Sequence, residues 1–265
     1  MNKRGRLVVA NWKMYIESPE EAKKFASSLR RKSRLFSGVG VVLAPAFTLV
    51  PIVAAALKGS NIRVAGQTVA PFDDVQGKAH TGSVSADMLK KIGATYVIVG
   101  HSERRAHSTG SGQAGETNEI IRAQLAVASN AGLTAILCVG EQERDAGGAY
   151  FSIIEQQINS ALKGFPKIEA GRLVIAYEPV WAIGKNAGDA MRPQDLREMS
   201  IFIKKTLADI FERKAALRVP ILYGGSVEPN NAHALITDGD VAGFLVGHAS
   251  AELDSFIEIL KSCKK

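Results

Sequence analysis

Cysteine is scarce in this chain: Cys138 and Cys263 are the only two among 265 residues. Two thiols cannot lay out a disulfide framework, and they show no metal-ligand spacing. Cys138 falls within an apolar segment and reads as a small core residue, so a reducing compartment, the cytoplasm, is expected. Long apolar runs are missing as well. None approaches the ~20 residues a membrane-spanning helix needs, and no membrane partner is expected. The basic start Met1-Asn2-Lys3-Arg4-Gly5-Arg6 passes directly into Leu7-Val8-Val9-Ala10, which is too short for the core of a secretory leader. A GxGxxG turn after the first apolar segment is also lacking, which weighs against an open dinucleotide-binding sheet.

What is present is a hydrophobic content of 46%, enough for a large core, and a formal net charge of +7. The densest basic run, Arg30-Arg31-Lys32-Ser33-Arg34, has no interleaved aromatic residues for stacking on bases. It reads as a solvated helix end, where cations favour the negative pole of the helix dipole. Lys261, Lys264 and Lys265 read as a frayed tail. No nucleic-acid partner is expected, although a positive field would help to draw in a small anion.

Short β-branched runs occupy 7–10, 39–44, 62–65, 96–99, 134–139, 173–177, 219–223 and 242–246. Helical patterns lie between them, among others at 19–29, 85–92, 116–131, 150–162, 193–211 and 230–236. Ser18-Pro19-Glu20-Glu21 supplies a cap, a first-turn proline and acidic residues to the first helix. Eight strands alternating with helices imply right-handed parallel crossovers. The expected fold is α/β, a (β/α)8 barrel forming a single catalytic domain over residues 1–265.

In such a barrel, polar groups just after the strands share the face where chemistry is done. Glu178 ends an apolar strand there, Asn11 and Lys13 follow the first strand, and His101 follows the fourth. A base, a cation and a polarising group thus converge on one end.

Six segments in order extend this pattern: Asn11-Trp12-Lys13, Val99-Gly100-His101-Ser102-Glu103-Arg104-Arg105, Cys138-Val139-Gly140-Glu141, Tyr177-Glu178-Pro179-Val180-Trp181-Ala182-Ile183-Gly184, Tyr223-Gly224-Gly225-Ser226-Val227 and Leu245-Val246-Gly247. Each closes an expected strand, and over nearly its full length the chain resembles the triosephosphate isomerase family. The resemblance implies interconversion of dihydroxyacetone phosphate and glyceraldehyde 3-phosphate, steps of glycolysis and gluconeogenesis. It implies Glu178 as the base and His101 as a neutral electrophile held beside a helix N-terminus. Lys13 would supply positive charge, with Asn11 and Glu103 as its polar partners. Gly184, Ser226, Gly247 and His248 would receive the phosphate through backbone N–H groups. Trp181 would stand at the hinge of a lid. The chemistry needs no metal or redox cofactor, because one carboxylate can carry the proton through an enediolate.

Four segments depart from the family pattern. The second half of the lid, 185–192, is rewritten and longer. His248 replaces a glycine, and a Cβ there would be strained if the position required a positive φ. The dimer-contact loop reads Thr81-Gly82-Ser83 in place of Thr-Gly-Glu, removing an ionic partner of Arg104, and Gln67-Thr68 replaces Gln-Asn. A glycine-serine stretch, 108–113, is inserted after the His101 motif. A homodimer is still expected, with altered interface chemistry. Two other readings stay open: an isomerase of tetrulose phosphates, and a catalytically silent phosphate-binding barrel.

Overall fold

The computed structural model describes residues 5–72, 79–106, 115–184 and 191–264. Eight parallel strands close on themselves in chain order, with β8 returning to pair with β1. They are β1 (Leu7–Asn11), β2 (Gly40–Ala44), β3 (Arg63–Gly66), β4 (Tyr96–Val99), β5 (Thr134–Val139), β6 (Leu173–Tyr177), β7 (Ile221–Tyr223) and β8 (Gly243–Val246). The expected barrel is therefore observed.

The helices that cover the outside are α1 (Pro19–Arg31), α2 (Val50–Ala56), α3 (Ala86–Lys91), α4 (Ser102–Arg105) and α5 (Asn118–Asn130). They continue as α6 (Ala149–Leu162), α7 (Pro193–Ile210), α8 (Arg213–Ala216), α9 (Ala232–Asp238) and α10 (Leu253–Ser262). Ser18 caps α1 by accepting the Glu21 N–H at 3.3 Å. Lys261 departs from the expected frayed tail: it lies in the last turn of α10 and pairs with Glu258 at 2.7 Å.

Alternation along each strand divides the core into two. Val8 and Ala10 belong to the large outer cluster beneath the helices, whereas Val9 belongs to a smaller inner one with Val42, Ile98, Ile136, Val174 and Leu222. The inner cluster fills the barrel, so the strands are apolar on both faces. Period-two geometry then positions the chemistry. Asn11 lies two residues beyond Val9, and Glu178 two beyond the inward Ala176. Both polar side chains are consequently carried into the C-terminal mouth of the barrel, and both are buried.

Candidate active site

A cavity of about 400 Å³ opens at this mouth, bordered among others by Asn11, Lys13, His101, Glu178 and Gly247. Glu178 is 1% exposed. Its Oε2 accepts the Ser102 N–H at 2.9 Å, and its Oε1 lies 3.4 Å from His101 Nε2. It also borders a second cavity of about 420 Å³ on its far side, lined by Ser102, Arg105, Cys138 and Gly140. Glu178 thus borders two spaces. Glycine is required next to it at two points: a Cβ on Gly140 would sit 1.8 Å from the Glu178 carbonyl oxygen, and one on Gly224 would sit 2.8 Å from its Cγ.

His101 caps α4, accepting the Glu103 N–H on Nδ1 at 3.2 Å. An imidazole that accepts on Nδ1 and is neutral carries its proton on Nε2, the nitrogen turned toward Glu178. Arg105 fixes the same turn from behind. It donates to the carbonyls of Gly100 at 2.8 Å and Cys138 at 3.0 Å, and to Asn118 Oδ1 at 2.8 Å.

Lys13 has a left-handed backbone, φ 46°. For a side chain with a Cβ this conformation costs on the order of 1–3 kcal/mol, and neighbouring contacts must hold it in place. Those contacts are the Asn11 Oδ1, which accepts the Lys13 N–H at 3.2 Å, and the Gln67 amide, which donates to the Lys13 carbonyl at 2.9 Å. The same Gln67 nitrogen reaches the Ala44 carbonyl at 3.0 Å. Lys13 Nζ pairs with Glu103 Oε1 at 2.5 Å. Asn11, Lys13, His101, Glu103 and Glu178 therefore form one connected group spanning β1, β4 and β6.

A sequence profile of the family described as triosephosphate isomerase matches residues 6–263. The chain belongs to the triosephosphate isomerase family. It is 40% identical over 257 residues to the triosephosphate isomerase of Geotalea uraniireducens, covering 96% of this chain and 97% of that protein. It is 42% identical over 256 residues to that of Carboxydothermus hydrogenoformans, covering 96% and 97%. A third relative, the triosephosphate isomerase of Dictyoglomus thermophilum, is 36% identical over 261 residues and covered in full.

The loops after β6, β7 and β8 complete the mouth. Gly184 has a positive φ of 70° and borders the cavity. Ser226 is tied to the loop after β6: its Oγ donates to the Ala182 carbonyl at 2.9 Å, and its N–H reaches the same oxygen at 3.3 Å. Gly247 precedes a 3-10 turn, His248–Ser250, and Ser250 Oγ donates back to the Gly247 carbonyl at 2.6 Å. Among the described non-glycine residues, positive φ occurs only at Lys13 and Asp240. The strain considered for His248 therefore does not arise. Of the rewritten segment 185–192, residues 185–190 lie outside the described residues, as does the 108–113 insertion. Arg192, the last residue of the rewritten segment, pairs with Asp195 at 2.8 Å.

Sequence reasoning quoted Glu141 within a motif but assigned it no part. The structure buries it completely beneath the hinge, where its Oε1 accepts from the Tyr177 hydroxyl and from Trp181 Nε1, both at 2.8 Å. Burial first, and the adjacent Glu141 charge second, push the Tyr177 hydroxyl above its usual range, so it stays a neutral donor. The available signal is an acidic residue one glycine beyond a largely apolar strand.

Arg104 has its ionic partner within its own chain, with Nε 2.5 Å from Glu116 Oε1. Gln124 reaches the same oxygen at 2.9 Å and Thr68 Oγ1 at 3.4 Å.

Proposed function

We infer that the chain interconverts dihydroxyacetone phosphate and glyceraldehyde 3-phosphate through an enediolate. The observation that carries this is the Glu178–His101 pair at 3.4 Å, in a cavity shared with Lys13. Glu178 acts as the base. Rotation off the Ser102 N–H would turn its carboxylate toward a bound substrate. It takes a proton from the carbon beside the carbonyl and returns it to the neighbouring carbon, while the hydroxyl proton passes from one oxygen to the other by way of His101; one C–H and one O–H bond break and one of each forms, with no external oxidant or reductant.

His101 donates from Nε2 to the oxygens on which negative charge develops, and the Nδ1 contact to Glu103 N–H keeps that nitrogen aimed at the cavity. Lys13 adds a positive charge, held by Glu103 and by the Asn11 and Gln67 contacts to its backbone. Gly184, Ser226, Gly247 and His248 form the phosphate end, where short turns let main-chain N–H groups approach an anion, the Ser226 N–H by exchanging its Ala182 contact for the phosphate. Trp181 anchors the lid, through Glu141, so that closure protects the enediolate from losing phosphate.

We also propose a homodimer in the cytoplasm. Met14 is 75% exposed and Met88 56% exposed, which suits burial against a second copy. Glu116 Oε2 and Gln124 Oε1 are buried acceptors with no donor among the described residues, and a partner or bound water would satisfy them. Stacked rings of Phe72 and His80, 3.8 Å apart, clasp the base of the loop expected to dock.

A coupled assay run with glyceraldehyde 3-phosphate and, in parallel, a tetrulose phosphate tests the reaction. The expected result is a large kcat/KM advantage for the triose; a preference for the tetrulose would overturn the substrate assignment.

A further inference from the structure

The loop after β8 departs from the family pattern by placing a side chain where the phosphate end is otherwise built from main chain. His248 takes the place of a glycine without a left-handed φ, so the ring is accommodated at no backbone cost. The residue is exposed and borders the same cavity as Lys13, Ser226 and Gly247. Its imidazole meets the ring of Tyr15 edge to face, with centroids 5.2 Å apart and planes at 88°. Tyr15 comes from the loop after β1, two residues beyond Lys13, and also borders the cavity although it is 49% exposed.

We propose that Tyr15 and His248 form a two-ring clasp at the phosphate end of the cavity, with His248 contacting the phosphate and Tyr15 acting as its positioning residue. This rests on the isomerase reading of the same cavity. An exposed imidazole on a short turn samples several rotamers. Packing against Tyr15 restricts them and leaves the nitrogens on the ring edge free to bond. In either neutral tautomer, or as the cation, imidazole keeps at least one N–H donor, which an acceptor-rich phosphate can use. The clasp therefore joins the loop after β1, which carries Lys13, to the loop after β8, which carries Gly247.

A single contact to the non-reacting phosphate that binds substrate and transition state equally is uniform binding. Its loss should appear in KM and in ligand affinity more than in kcat. The test uses inorganic phosphate as the probe, with binding measured by calorimetry and with KM and kcat for glyceraldehyde 3-phosphate measured on the same full-length proteins. His248→Ala is expected to weaken phosphate about fivefold and raise KM about as much, with kcat falling by less than about twofold. Tyr15→Ala should weaken phosphate about threefold, whereas Tyr15→Phe, which keeps the ring contact, should stay within about twofold of the parent.

Unchanged phosphate affinity in His248→Ala would overturn the clasp, and equal losses in Tyr15→Phe and Tyr15→Ala would overturn the positioning role. Phosphate binding is read without turnover. A chain that bound phosphate with this dependence but did not isomerise the triose would sink the isomerase reading alone.

Discussion

Glu141 follows β5 and Glu178 follows β6, and the two strands are paired in register from Ala135–Leu173 to Val139–Tyr177. Both carboxylates are essentially buried, at 0% and 1% exposure. Burial alone would give them the same character. The difference lies in what surrounds them. Glu141 Oε1 receives a phenol, an indole N–H and, at 3.4 Å, the Arg144 guanidinium, and none of these can leave without dragging a packed ring or the hinge with it. Glu178 receives one backbone N–H, faces an imidazole edge and has a cavity on either side. A buried carboxylate crowded by fixed donors is a structural post. One with few donors and open space can change partners, which proton transfer requires.

The largest effect that would test this contrast is on turnover. Glu178→Gln keeps an acceptor for the Ser102 N–H but removes the base, and kcat should fall roughly a thousandfold in the coupled assay. The unfolding midpoint in urea should move little. Persistent turnover would break the assignment. Glu141→Ala should do the reverse. Leaving a buried phenol, an indole N–H and a guanidinium without their acceptor costs about 3 kcal/mol, read as a lowered urea midpoint. Its kcat should fall far less than that of Glu178→Gln. If Glu141→Ala were as stable as the parent, the post would be no post.

Gly224→Ala sharpens the contrast from the other side. The added Cβ would lie 2.8 Å from Glu178 Cγ and only 3.5 Å from its Oε1, so the side chain must shift while its charge and burial persist. Misplacing the base in this way should lower kcat on the order of tenfold to a hundredfold, with a smaller change in KM. A parent-like kcat would mean that Glu178 finds its working position independently of Gly224.

The strands and the identity of Asn11, Lys13, His101 and Glu178 were legible in the sequence, because an apolar run that ends in a polar residue is a local signal. Three expected strands, 96–99, 134–139 and 173–177, match the observed ones, and the other five differ by a residue or two at their ends, as at 219–223 against Ile221–Tyr223. Glu141 was not legible as a hinge anchor. Its partners Tyr177 and Trp181 lie 36 and 40 residues away, and only closure of β5 against β6 brings them together. Arg105 was quoted only as part of a motif, since its bonds go to carbonyl oxygens that carry no residue identity. Lys261 was misread because its helix places Glu258 one turn away, a contact that terminal position alone conceals. The His248–Tyr15 contact joins the first and last barrel loops, and nothing local announces it.

The smallest effect concerns a thiol in this neighbourhood. Cys138 lies on β5 opposite Ala176, and burial, with Glu178 nearby, raises its thiol well above the ordinary value of 9.0. Burial likewise raises Cys263 to about 12. In the unfolded chain both thiols lose their protons near pH 9, while in the folded protein they keep them. The folded state then binds more protons than the unfolded one, so stability is full below about pH 9 and declines as pH rises toward 12. The decline is at most ~1.4 kcal/mol per pH unit for each thiol. Alanine at either position leaves a small void that lowers stability at every pH, so the informative quantity is the slope and not the midpoint. Cys138→Ala should flatten the fall in urea-derived stability between pH 9 and 10 relative to the parent. An unchanged slope would mean that the thiol beside Glu178 ionises in the folded protein as readily as in the unfolded chain. The site would then tolerate a second negative charge next to its base, and the view of Glu178 as a lone, poorly solvated carboxylate would have to be given up.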